Sequence, residues 1–139
     1  MRPTEKITEE VIKDKLSPLF NEKSLRLVIM FGSTATGNRH NTSDIDLGFL
    51  FDNQTDILDL TNRVIRLLKN DNVDVVDLNR TSPLLRFSVV KQGKLLYEKE
   101  PGQFNEFASL AFRIYVDTKK LRSAREKSIK NFLMKMSAK

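Results

Sequence analysis

Residues 31–51 read Phe-Gly-Ser-Thr-Ala-Thr-Gly-Asn-Arg-His-Asn-Thr-Ser-Asp-Ile-Asp-Leu-Gly-Phe-Leu-Phe. Asp44 and Asp46 flank one apolar residue, Ile45. On a strand, residues i and i+2 project from the same face, so both carboxylates point together while Ile45 turns to the buried side. Two anions held that close repel, and a cation makes the arrangement favourable. Hard oxygen ligands argue for Mg²⁺, or Mn²⁺, which keep waters and nucleotide phosphate oxygens in their remaining positions. Ten residues separate Asp44 from Ser33, and Gly32-Ser33 abruptly ends the apolar run Leu27 to Phe31. Backbone N–H groups at such a strand end lack partners and can bind phosphate oxygens. Gly32 permits close approach because it has no Cβ, and the Ser33 hydroxyl can reach a phosphate or a metal.

A third carboxylate is available in Val73-Asp74-Val75-Val76-Asp77-Leu78. A carboxylate within an apolar strand costs free energy unless it is paired or ligates a metal. Strand parity puts Asp74 with Val76 and Asp77 with Val73 and Val75, on opposite faces, so only one of them can join Asp44 and Asp46. Asp74 is the favoured partner, with Asp77 expected near the strand end and solvated. Three carboxylates and a phosphate-binding turn are close to the minimum equipment for nucleotidyl transfer. Two divalent ions in such a site clamp the α-phosphate, lower the pKa of an attacking hydroxyl and neutralise the departing pyrophosphate. A Gly-Ser turn or an Asp-x-Asp pair alone is common at protein surfaces. Their combination between two apolar strands is what points to chemistry.

Positioning these groups requires a packed α/β scaffold, and the periodicities supply one. Thr8 to Phe20 reads as a helix capped by Thr8, with Val11, Ile12, Leu16, Leu19 and Phe20 as its stripe. Leu25 to Phe31 and Ile45 to Phe51 read as buried strands. A helix follows from an N-cap at Thr55 to about Lys69, then a strand over Val73 to Leu78. Ser82-Pro83 opens a helix that ends near Lys91 with Gly93 as its C-cap, and Lys94 to Tyr97 forms a short edge strand. Residues 1–139 thus form a single α/β domain, its core over about 8–98 and a helical extension over about 103–136.

Composition narrows the setting. Apolar content of 40% and charged content of 30% are ordinary for a soluble globular chain. The absence of cysteine rules out a disulfide frame and a thiolate metal site. The longest apolar run, Leu27 to Phe31, is too short to cross a bilayer, and Met1 to Lys6 has no apolar leader, so no membrane role and a cytoplasmic location are expected. The net charge of +6 is local: residues 113–139 hold nine Lys or Arg against two Asp or Glu, and the preceding 112 residues hold 15 against 16. An apolar edge in a cationic surround suits a helix docked on another protein, and a frayed tail is the other reading. Aromatic residues are not interleaved with the charges, which argues against direct nucleic-acid binding. His40, Arg80 and Arg86 read as surface residues, and Tyr97 and Tyr115 as packing residues with a polar tip.

Gly32-Ser33 followed by Asp44-Ile45-Asp46 resembles the signature of the DNA polymerase beta-type nucleotidyltransferase superfamily. The sequences Ser43-Asp44-Ile45-Asp46-Leu47 and Val73-Asp74-Val75-Val76 resemble its minimal nucleotidyltransferase (MNT) branch, with the likeness covering about residues 25–98. Phe112-Arg113-x-Tyr115-x-Asp117 and Leu121 resemble the helix after the core in MNT antitoxins. The resemblance implies a mixed sheet flanked by helices, with Mg²⁺ as cofactor and ATP as substrate. It implies that Gly32 and Ser33 hold the triphosphate and that Asp44, Asp46 and Asp74 bind metal. Its implied partner is a HEPN-type RNase toxin, met through the basic C-terminal helix and inactivated by AMP transfer to a tyrosine hydroxyl. Many members carry Ala-Arg-Gly where this chain has Ala35-Thr36-Gly37. Arg39, or a basic group of the partner, is the available substitute. Two other readings compete: an antitoxin that only masks its toxin, and a small-molecule nucleotidyltransferase of the aminoglycoside-modifying type.

Overall fold

The computed structural model describes residues 8–32 and 44–137. Ser33, Thr36, Arg39 and His40 lie outside the described residues. Helix α1 spans Glu9–Leu16, and the Thr8 hydroxyl caps it by accepting the Val11 N–H at 3.3 Å. The single helix expected to Phe20 is in fact divided, with a 3₁₀ turn over Ser17–Asn21. Pro18 is the reason, because it has no N–H to continue the α-helical ladder and its ring crowds the preceding turn. Leu19 is nevertheless buried.

Strands β1 (Leu25–Phe31) and β2 (Ile45–Phe51) have the expected bounds and pair antiparallel. Helix α2 spans Ile57–Leu68 and is capped by Asp56, not Thr55. The Asp56 carboxylate accepts the Asp59 N–H at 3.2 Å and adds negative charge at the positive helix end. Strand β3 (Val73–Asp77) runs parallel to β2, as the α2 crossover allows. Helix α3 (Pro83–Gln92) begins at Ser82, whose hydroxyl accepts the Leu85 N–H, and stops at Gly93. A Cβ on Gly93 would collide with the Val89 carbonyl and press on Ile29, so glycine serves close packing here. Strand β4 (Lys94–Glu98) pairs antiparallel with β1, and helix α4 (Gln103–Ser137) runs unbroken for 35 residues.

The mixed sheet has the order β3-β2-β1-β4. Alternation along β2 sends Ile45, Leu47, Phe49 and Phe51 into a core with Ile12 and Leu16 of α1 and Leu60, Val64 and Leu68 of α2. Each such side chain, fully buried, contributes about 1.5–3 kcal/mol. Leu27, Ile29 and Leu50 face the other way and pack with Leu78, Val89 of α3, and Phe104 and Phe107 of α4. The sheet is therefore covered on both sides, which leaves its ends as the places where polar groups can gather. Among the described residues no helix is long and apolar enough to cross a membrane.

Candidate active site

Three strand ends meet at one edge of the sheet. Asp46, near the start of β2, lies opposite Phe31 at the end of β1 and opposite Asp74 near the start of β3. Asp44 immediately precedes β2. The register is pinned beside these residues, because the Ile45 N–H donates to the Asn72 carbonyl at 2.9 Å. Asn72 is in turn held by its own N–H, which donates to Asn70 Oδ1 at 2.8 Å. A slip of one residue along this pairing would send Asp46 into the apolar core, so the burial of Ile45 and Leu47 enforces the position of the acid between them.

Gly32 completes the arrangement from β1. Its φ of +76° is left-handed, and a Cβ there would overlap Asp46 Oδ2. The glycine thus does two things: it turns the chain out of the sheet and leaves the room that the Asp46 carboxylate fills. Asp46 is half-buried, whereas Asp44 and Asp74 are exposed. Partial burial pushes the Asp46 carboxyl above the usual carboxylate range, and the negative charges of Asp74 and then Asp44 push it the same way. All three carboxylates therefore act within one electrostatic neighbourhood.

Among the described residues no group of three or more acids, histidines or cysteines is arranged to hold a metal ion by itself. An open set of hard oxygen donors suits Mg²⁺, which is bound by one or two carboxylates together with substrate phosphates and water. The mutual repulsion at Asp46 is what a divalent cation at this edge would relieve. The sign of the effect is testable. A carboxyl raised in the folded state disfavours folding when ionised, and that penalty disappears as pH falls to where the group is protonated in both states. Asp46→Asn is expected to raise Tm above wild type at pH 7 in chelator. The difference should shrink on acidification through the raised range and vanish below about pH 3.9. Added Mg²⁺ should narrow the gap by stabilising only the wild type. Equal melting at pH 7 in chelator would contradict the repulsion.

The other sequence-derived candidates divide. Asp77 is on the opposite face from Asp74, as parity requires, but it is not solvated: it is 8% exposed. Its carboxylate accepts the Asn79 N–H at 3.0 Å, forming a turn, and the Asn79 amide donates to the Phe51 carbonyl at 2.8 Å. This local closure gives the buried acid a backbone donor. Arg86 is also more engaged than a surface residue. Its guanidinium donates to the Asn79 and Thr81 carbonyls and lies 5.9 Å from the centre of the Phe107 ring. Tyr97 stacks on Phe20 at 4.4 Å and donates its O–H to the Phe20 carbonyl. Tyr115 stacks on Phe87 at 4.1 Å. Periodicity did not indicate the Gly32–Asp46 contact, which depends on how β1 pairs with β2, or the bond from Asn79 back to Phe51 that anchors the Asp77 turn.

Comparison with known proteins agrees with this geometry. The family model described as polymerase beta, nucleotidyltransferase, matches residues 14–102. A protein adenylyltransferase MntA from Aphanizomenon flos-aquae is 29% identical over 123 residues, spanning 80% of this chain and 82% of the relative. A crystal structure of a toxin–antitoxin with AMP-PNP superposes with a TM-score of 0.74 at 30% identity, covering 88% of this chain and 98% of that one. A structure of tri-AMPylated Shewanella oneidensis HEPN toxin in complex with MNT antitoxin gives a TM-score of 0.71 at 27% identity, over 88% and 98% of the two chains. With the family model matching most of its length and the fold shared with these relatives, the chain belongs to the polymerase beta nucleotidyltransferase family, in its minimal, MntA-like branch.

Proposed function

We propose that this chain is an antitoxin enzyme of the cytoplasm that transfers AMP from ATP to a tyrosine hydroxyl of a HEPN-type RNase toxin, neutralising it. The observation that carries the reading is the convergence of Asp46 on Asp74 across β2 and β3, with Gly32 opening the space beside them. In this reading residues 1–139 act as one catalytic domain with α4 as its extension. Asp44, Asp46 and Asp74 hold Mg²⁺, while Gly32, Ser33 and Arg39 hold the triphosphate. Bound Mg²⁺ supplies charge neutralisation at the α-phosphate and at the departing pyrophosphate.

The residues of the chain orient and desolvate the rest. Packed strands fix the carboxylates before substrate arrives, so little reorganisation accompanies the reaction. In this reading Asp74, exposed near the start of β3, receives the proton of the incoming hydroxyl. A bond forms between the tyrosine oxygen and the α-phosphorus, the bond from that phosphorus to the β-phosphate bridge breaks, and pyrophosphate leaves. The test is incubation of the purified chain with α-labelled ATP, Mg²⁺ and the product of the adjacent gene, with the Shewanella HEPN toxin as a second probe. Label on a tyrosine of the toxin is expected. Nucleotide binding with no label on either probe rejects the reading.

A further inference from the structure

Strand β2 begins at Ile45, and Asp44 lies one residue outside it. The pairing of β2 with β1 reaches only to Asp46, opposite Phe31. Among the described residues, the bond from the Ile45 N–H to the Asn72 carbonyl is thus the outermost bond of the sheet beside the acids. It falls between Asp44 and Asp46 on one side and two residues before Asp74 on the other. Bonds at the end of a ladder open before those in its middle. The persistence of this one governs how firmly Asp44 and Asp46 are held against Asp74, the register partner of Asp46.

The acceptor of that bond belongs to a link anchored on α2. The helix itself is fixed by Leu60, Val64 and Leu68 in the core. At its end Lys69 turns left-handed, with a φ of 54°. The N–H groups of Lys69 and Asn70 both reach back to the Ile65 carbonyl, which closes the helix and reverses the chain. Asn70 then contributes its side chain. Its Oδ1 accepts the Asn72 N–H at 2.8 Å, forming a side-chain turn across Asp71. One asparagine is therefore tied through its backbone to α2 and through its side chain to the residue whose carbonyl meets β2. Alanine at this position would leave the Asn72 N–H, which is exposed, to water.

We infer that Asn70 is a positioning residue for the acid edge: its side-chain oxygen, fixed to the end of α2, steadies the Asn72–Ile45 bond and with it the placing of Asp44 and Asp46 against Asp74. Asn70 touches neither nucleotide nor metal in this role and acts through the main chain of Asn72. The assignment deepens the adenylylation reading and rests on it for the consequence in catalysis.

Three measurements on the full chain test it. They are hydrogen exchange at the Ile45 amide, the Mg²⁺ concentration that half-saturates the rise in Tm with ATP present, and the Mg²⁺ concentration that half-saturates AMP incorporation into the adjacent gene's product. Asn70→Ala should speed exchange at Ile45 and raise both Mg²⁺ requirements about tenfold, the usual size of effect when a group that orients metal ligands is lost. The turn bond is exposed, so the fold stays in place. Asn70→Asp supplies the same acceptor oxygen and should restore all three readouts. Asn72→Ala should match wild type, because Asn72 contributes main-chain groups to the link. Ser82→Ala removes a comparable bond at the start of α3, beyond the other end of β3, and should lower Tm without moving the exchange or the Mg²⁺ requirements. Wild-type exchange at Ile45 in Asn70→Ala overturns the link. Faster exchange with unchanged Mg²⁺ requirements overturns the positioning role. Failure of the adenylylation reading looks different: the wild-type chain would label nothing, while exchange at Ile45 and the Mg²⁺-dependent Tm would still respond to Asn70.

Discussion

Replacing Asp44 and Asp46 together by alanine is expected to reduce AMP transfer by about a thousandfold or more while the complex with the toxin persists. Losing the metal's charge stabilisation removes on the order of 4 kcal/mol from the transition state, and each 1.36 kcal/mol is about a factor of ten. The fold should tolerate the change. Asp44 is exposed, Asp46 is half-buried, and neither contributes to the apolar clusters on the two faces of the sheet. Removing the Asp46 carboxylate also removes its burial cost and the repulsion from Asp74 and Asp44, so the metal-free domain is expected to gain stability. Initial rates of label incorporation, complex formation by size exclusion and growth rescue at equal expression together read the outcome. Loss of rescue with the complex intact places neutralisation in the chemistry. A double variant that still rescues growth would show that masking alone suffices, and the enzymatic account of neutralisation would fail.

The parts of this site that were legible in the sequence are those governed by short-range periodicity. Asp44-Ile45-Asp46 declared a strand with acids on one face; the strand begins only at Ile45, and the burial of Ile45 and Leu47 fits the placing of Asp46 between them. Parity separated Asp74 from Asp77, and the pairing of Asp74 with Asp46 follows it. The fate of Asp77 was not legible, since its burial depends on a turn that Asn79 closes back onto β2. Helix boundaries moved where one residue's covalent chemistry overrode the apolar pattern, as at Pro18, or where two adjacent capping residues competed, as at Thr55 and Asp56. The apolar residues of the last segment showed an uneven stripe but not whether anything covered it. Only the exposure of Ile129, Phe132 and Met136 separates a packing helix from a projecting one.

Gly32→Ala is expected to lower both activity and stability, through two causes that can be separated. The first is backbone strain, since a φ of +76° costs a residue with a Cβ about 1–3 kcal/mol. The second is the overlap of that Cβ with Asp46 Oδ2, which is the far end of a side chain and is relieved by turning the carboxylate away. If Asp46 holds metal as proposed, displacing its oxygen by about 1 Å can cost a hundredfold in rate, so transfer should fall by about that factor with ATP binding less affected. Gly102 supplies the control. Its φ is +94°, yet no atom lies within 4 Å of where a Cβ would be. Gly102→Ala should therefore show the strain in Tm and leave the transfer rate unchanged. Combining Gly32→Ala with Asp46→Ala removes the overlapping oxygen, and the stability cost of the glycine substitution should then shrink to the strain alone. An undiminished cost in that background, or full activity of Gly32→Ala by itself, would show that Gly32 turns the chain without making room for Asp46.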